Sequence, residues 1–155
     1  MKNSATVVTY NPIFLPAFTA LNREWIEKYF KLEAMDLAQL ENPQEFILKN
    51  GGEIFFVVEN DEAVGTCAMV PHGETSYELA KMAVSPKARG KGYGDLVIQA
   101  AIDWARMKKA EKITLLSNKI LTPAISLYRK HGFTTVSEGT HPDYNRCNIE
   151  MELRL

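Results

Sequence analysis

The sequence predicts a mixed α/β (α+β) fold: one sheet of about six or seven strands, flanked by helices, in the order βααβββαβαββ. Three observations carry this. Apolar residues recur at helical spacing to about residue 49, then the period drops to two, and a strand–loop–helix–strand unit follows. An antiparallel meander running into a βαβ unit gives a mixed sheet with helices on both faces, not a doubly wound one.

Thr6–Tyr10 is a short β-branched strand, punctuated by Asn11–Pro12. Phe14, Phe18, Leu21, Trp25 and Tyr29 then trace an amphipathic helix to about Phe30. A second helical region covers Glu33–Lys49, is interrupted by Pro43, and is stopped by Gly51–Gly52. Glu53–Glu59 and Ala63–Val70 pair as a hairpin across Asn60–Glu62. After Pro71–Gly73 comes a strand over Thr75–Val84, then a glycine-rich loop, then a helix from Tyr93 to about Lys109. Lys112–Ser117 is a buried-type strand. Thr122 suits a helix N-cap, Pro123 the first helical position and Gly132 the residue past the end, so a helix covers Pro123–His131. Phe133–Ser137 and Cys147–Leu153 finish as strands.

The chain has 155 residues, the scale of one domain, so 1–155 is read as a single unit. With a formal net charge of −1 it offers no electrostatic case for nucleic acid or an anionic membrane as partner. No apolar run approaches the ~20 residues that cross a bilayer, and the N-terminus lacks a signal-peptide apolar stretch, so a cytoplasmic protein is expected. Cys67 and Cys147 are expected as reduced core thiols. The three histidines show no metal-site spacing, and His131 fits a dipole partner at a helix end.

The loop is the unusual segment. Gly90, Gly92 and Gly94 sit between two apolar runs, beside Arg89 and Lys91. Glycine loses the most backbone freedom on folding, so three in five residues need a cause. At a strand-to-helix junction, unpaired first-turn amides attract anions, and glycines let an anion approach the backbone. Taken alone, the loop is equally a tight turn with a solvated basic edge. A P-loop fails because no Lys-Ser/Thr pair follows, and a dinucleotide fingerprint fails because the third glycine comes one place early.

Arg89-Gly90-Lys91-Gly92-Tyr93-Gly94 fits R/Q-x-x-G-x-G/A. Around it lie Met82-Ala83-Val84-Ser85-Pro86 at a strand end, Ser117–Asn118 ending the next strand, and Ala124-Ile125-Ser126-Leu127-Tyr128 before Gly132–Phe133. Across about Tyr77–Phe133 this run resembles the GNAT superfamily of acetyl-CoA-dependent N-acetyltransferases. The resemblance implies acyltransferase activity: acetyl passes from acetyl-CoA to a primary amine of a small molecule or peptide, by direct attack in a ternary complex. It implies a pyrophosphate site at Arg89, Gly90, Lys91, Gly92, Tyr93 and Gly94, and pantetheine contacts at Met82, Ala83, Val84, Asn118 and Ala124. Asp95 departs from this picture, because a carboxylate beside phosphates opposes them unless it points away.

The resemblance also points to Tyr128 as the acid that protonates the leaving thiolate, the alternative being an aromatic packing residue. A phenol is a neutral donor at pH 7. Glu78 is the candidate base, the alternatives being a salt-bridged strand residue and deprotonation through water. Strand alternation puts Glu78 on one face with Ala80, Met82 and Val84, and Lys81 on the other, in solvent. Trp25, Tyr29, Lys81, Tyr144 and Arg146 are candidate acceptor contacts. The acidic side chains Glu24, Glu27, Glu33 and Asp36 are expected on a solvated helix face, the alternative being attraction of a cationic amine. From other classes, a non-catalytic acyl-CoA-binding module and a nucleotide-binding domain compete with the enzyme. Dimers are common in families resembling this one.

Overall fold

A computed structural model describes residues 5–140 and 146–155. Its strands are β1 (Ala5–Thr9), β2 (Glu53–Glu59), β3 (Glu62–Pro71), β4 (Ser76–Val84), β5 (Lys112–Ser117), β6 (Thr134–Glu138) and β7 (Ile149–Arg154). Its α-helices are α1 (Leu15–Tyr29), α2 (Ala34–Glu41), α3 (Tyr93–Met107) and α4 (Thr122–Lys130). Short helical turns cover Pro12–Phe14, Gln44–Leu48 and Pro86–Ala88.

Local chemistry sets most boundaries. The Asn11 side chain accepts from Ile13 N at 3.0 Å and starts the turn into α1. Asn60 and Asp61, at φ 51° and 63°, make the tight β2–β3 turn, where both central residues need positive φ. Gly132 lies just past α4 at φ 99°, as expected. Two expectations shift. Thr122 sits inside α4, with Leu121 at the cap position and no capping side chain. α3 stops at Met107, two residues before Lys109, which takes the left-handed conformation at φ 62°.

The seven strands lie in the order β1-β2-β3-β4-β5-β7-β6. Every pairing is antiparallel except β4–β5, and that parallel pair is joined by the crossover helix α3. Apolar residues bury on both faces. Phe55, Leu79, Ile98, Ile113, Tyr128 and Met151 belong to the layer under α3 and α4. Phe18, Leu40, Ile47, Ile54 and Phe56 form the layer under α1 and α2. Phe18 and Phe56 are both fully buried and meet edge to face at 6.3 Å.

Two irregularities of β4 create the site. Its parallel pairing with β5 covers only Ser76–Leu79, so past the Leu79–Leu115 pair the strands part. On its other edge, Ala80 opposes Ala68 and Ala83 opposes Thr66, leaving Lys81 and Met82 opposite Cys67 alone. This is a β-bulge, and Lys81 sits in it at φ 54°. Alternation therefore fails here, correcting the expected faces. Leu79, Met82 and Val84 all pack on the α3 layer, whereas Lys81 reaches across the other face to α2.

Candidate functional site

Where β4 and β5 diverge, a cavity of about 490 Å³ opens. One side is Glu78–Val84; the floor is the glycine loop and the start of α3; the far side is Leu116–Asn118 with Ala124, Leu127 and Tyr128. Trp25, Tyr29 and Phe30 of the α1 end, with Arg146 and Cys147, close the remaining wall. Among the described residues, the β4 edge from Ala80 to Val84 has no strand partner on this side.

In the loop, Gly90 and Gly92 both adopt φ 81°, with nothing within 4 Å of where a Cβ would stand. Among the described residues, none of the amides from Gly90 to Asp95 donates to a protein acceptor. Gly94 is needed for a different reason: a Cβ there would stand 2.8 Å from Leu127 Cδ2, so its absence lets α3 lie against α4. Arg89 borders the cavity and pairs loosely with Glu24 at 3.7 Å. Lys91 does not border it, correcting the expectation of two cations at one place. Its Nζ lies 3.2 Å from Glu59 and 5.9 Å from the Tyr93 ring centroid. The Tyr93 hydroxyl donates to the same carboxylate; that bond, then the one from Lys91, holds the Glu59 carboxyl below its ordinary value.

Asp95 faces the cavity, yet its charge is engaged. Lys130 lies 3.0 Å and His131 Nε2 2.9 Å from its Oδ1. Hydrogen bonds from Lys130, then His131, hold this carboxyl below its usual range. His131 thus sits at the end of α4, where the sequence placed it, with a carboxylate as partner.

Tyr128 is 9% exposed and packs against Phe133 at 6.1 Å. Its hydroxyl has no hydrogen-bond partner among the described residues. Burial, then neighbouring Cys67, pushes its phenol well above the ordinary tyrosine value, so it keeps its proton. Glu78 borders the same cavity. Asn118 borders it too, but its Nδ2 donates to Arg146 O at 2.6 Å and its Oδ1 accepts from Ile120 N at 3.0 Å. Its side chain thus ties the turn that follows β5.

The end of the cavity nearest α1 rests on a buried charge cluster. Lys81 Nζ lies 2.9 Å from Asp36 Oδ1, and Arg146 reaches both Asp36 oxygens at 2.6 Å and Glu33 at 3.1 Å. The Arg146 guanidinium carbon lies 6.0 Å from the Trp25 ring centroid. Lys81 and Asp36 are 6% and 0% exposed, correcting the solvated faces expected for both. Burial alone would raise the Asp36 carboxyl; the Arg146 hydrogen bonds and the Lys81 charge outweigh it and hold the carboxyl below its usual range. Tyr144 lies outside the described residues. Sequence reasoning missed Asp36, Phe30 and Cys147. For Asp36 a signal existed: Glu33-x-x-Asp36 has capping-box spacing, and Asp36 does accept the Glu33 N–H at 3.0 Å. The Cys147 thiol is pushed up to about 11 by burial.

Both cysteines are free and buried. Among the described residues, no group of three or more His, Cys, Asp or Glu side chains is placed to hold a metal. No helix among them is long and apolar enough to cross a membrane.

The class of this mixed sheet, forked between its fourth and fifth strands over a glycine loop, is given by its family match: acyltransferase. A family model for the acetyltransferase (GNAT) domain matches residues 50–135, more than half of the chain, and the chain belongs to that family. It is 28% identical over 115 residues to "Uncharacterized N-acetyltransferase YobR" of Bacillus subtilis, a match covering 74% of this chain and 47% of that protein. It is 29% identical over 82 residues to the mycothiol acetyltransferase of Corynebacterium glutamicum, covering 53% of this chain and 28% of that one. The chain thus spans less than half the length of these curated relatives. The crystal structure of a GNAT-family acetyltransferase from Staphylococcus aureus Mu50 superposes with a TM-score of 0.88 at 19% identity, over 98% of this chain and 99% of that one. That likeness shows the fold.

Proposed function

We propose that this chain is an N-acetyltransferase that moves the acetyl group of acetyl-CoA to a primary amine of a small molecule or peptide, by direct attack in a ternary complex. One observation carries the reading: the unpartnered β4 edge, the loop residues Gly90, Gly92, Tyr93, Gly94 and Asp95 with their unpaired amides, and Tyr128 all border one cavity. Acetyl-CoA fits these groups chemically, since a diphosphate needs main-chain donors and open space above Gly90 and Gly92, which are present. In this reading the loop amides and Arg89 hold the pyrophosphate, and Met82, Ala83, Val84, Asn118 and Ala124 border the pantetheine arm.

Acetyl-CoA supplies an acetyl group activated as a thioester. The N–H groups of the β4 edge stand ready to stabilise negative charge, preorganised by the sheet and independent of side chains. Tyr128 holds its proton on the hydroxyl oxygen at neutral pH and donates it to the leaving sulfur. Glu78, directly or through water, takes the proton that the amine must lose. Trp25 and Tyr29 wall the amine's body beside Arg146. The same proposal sets the chain in the cytoplasm, where its two free thiols stay reduced.

The test is thiol release from acetyl-CoA with a panel of amines, beside calorimetry with CoA, ATP and NAD. CoA binds and ATP and NAD do not; at least one amine is acetylated; and Tyr128→Phe lowers kcat about 10²-fold while CoA affinity holds. Tight CoA binding with no amine acetylated makes the chain a binding module instead. A preference for ATP or NAD ends the acetyltransferase reading.

A further inference from the structure

Among the described residues, four that are not glycine have positive φ: Asn60, Asp61, Lys81 and Lys109. Three are exposed turn residues. Lys81 alone lies inside a strand, and it is buried. A lysine has no local hydrogen bond with which to favour the left-handed region, as Asn and Asp do. Something must hold it there. Its ammonium ends 2.9 Å from Asp36, a fully buried carboxylate on α2. Removing the bulge would shift β4 by one residue and turn neighbouring side chains to opposite faces. Lys81 would then leave Asp36, and Leu79 and Met82 would no longer share the α3 layer.

We propose that the Lys81–Asp36 pair is a latch that holds the β4 bulge, making Lys81 a positioning residue for the main-chain donors along the Ala80–Val84 edge. A buried pair broken by moving one partner leaves a charge without its complement, so the latch opposes relaxation of the bulge. The bulge in turn sets which way the peptides of the unpartnered β4 edge face. The inference rests on the acetyl-CoA reading of that edge and adds the device that shapes it.

Lys81→Ala, Lys81→Gly and Lys81→Asn all remove the ammonium equally, but glycine and asparagine tolerate φ near 54° and alanine does not. Calorimetry with acetyl-CoA, without any amine, is the first readout. Lys81→Ala should weaken affinity about tenfold, the ratio set by an L-residue's left-handed penalty, while Lys81→Gly and Lys81→Asn stay within about threefold of wild type. With an acetylated amine, kcat should follow the same order with the amine KM unchanged. Thermal melts and a crystal structure of Lys81→Ala give readouts free of any ligand. The glycine variant should melt above the alanine variant, reversing the usual strand preference, and residue 81 of the alanine variant should move to negative φ. Equal weakening by alanine and glycine, or a raised amine KM in all three variants, would mean that the ammonium itself contacts substrate and would overturn the latch. Should wild type bind no CoA, the acetyl-CoA reading falls, and the melting order with the φ of residue 81 still decides the latch.

Discussion

Gly92→Ala separates backbone strain from ligand binding, because Gly73 supplies a matched control. The two glycines have φ 81° and 79°, and each has nothing within 4 Å of a built Cβ. Alanine therefore meets no neighbour at either site and bears only the left-handed penalty, roughly 1–2 kcal/mol. For a domain of this size that corresponds to a fall in Tm of about 2–8 °C, equal in both variants. Their consequences for CoA diverge. Gly92 borders the cavity and Gly73 does not, so a methyl at 92 covers main-chain donors that would meet phosphate. Loss of one hydrogen bond to a charged group costs about 1.5–3 kcal/mol, or roughly 10- to 100-fold in affinity. Differential scanning calorimetry and CoA titration measure the two effects on the same samples. If Gly92→Ala melts lower yet holds CoA as wild type does, the loop is only a turn, and the diphosphate lies elsewhere.

Removing the carboxylate with Asp36→Ala strips Lys81 and Arg146 of their shared partner in the interior; chemical denaturation should show a loss of about 3–5 kcal/mol. The Asp36 carboxyl is depressed in the fold, so the stability it lends is complete above its unfolded value of about 3.9 and drains away as pH falls through the lower folded value. Melts from pH 7 to pH 3 should accordingly fall less steeply for Asp36→Asn than for wild type. Arg89→Ala should weaken CoA binding, more at low salt than at high, while Lys91→Ala, held against Glu59, leaves it within about twofold. Equal losses from the two would put Lys91 back at the phosphates. Because Tyr128 is raised above the ordinary phenol value, the rate–pH profile should show no alkaline fall near pH ~10 that disappears in Tyr128→Phe; such a limb would remove the buried-acid reading.

Much of this was legible in the residues. Lys112–Ser117 begins and ends where its apolar run and flanks put it, and the glycine loop lies at the junction its residue types demanded. What stayed illegible depended on distant partners or on an uncued irregularity. Bulges are often cued by glycine; here a lysine occupies the position, so a regular two-residue period assigned Lys81 to solvent. Asp36 resembled its exposed acidic neighbours because the partners that bury it, Lys81 and Arg146, lie 45 and 110 positions away. Lys91 was assigned to phosphate by proximity to the glycines, when its nearest opposite charge lay back on β2. Charge tells the type of contact a residue seeks; only the fold tells with whom.

The parting of β4 from β5 after four paired residues has an evolutionary meaning. Hydrogen-bonding groups offered by the peptide chain survive almost any change of side chain, so the half of the crevice built from them is conservative by construction. Trp25, Tyr29 and Phe30 enter from a separate helix end. On the proposed acetyl-CoA reading, substitutions in that opposite wall would change the choice of amine and leave the main-chain grip on the donor in place.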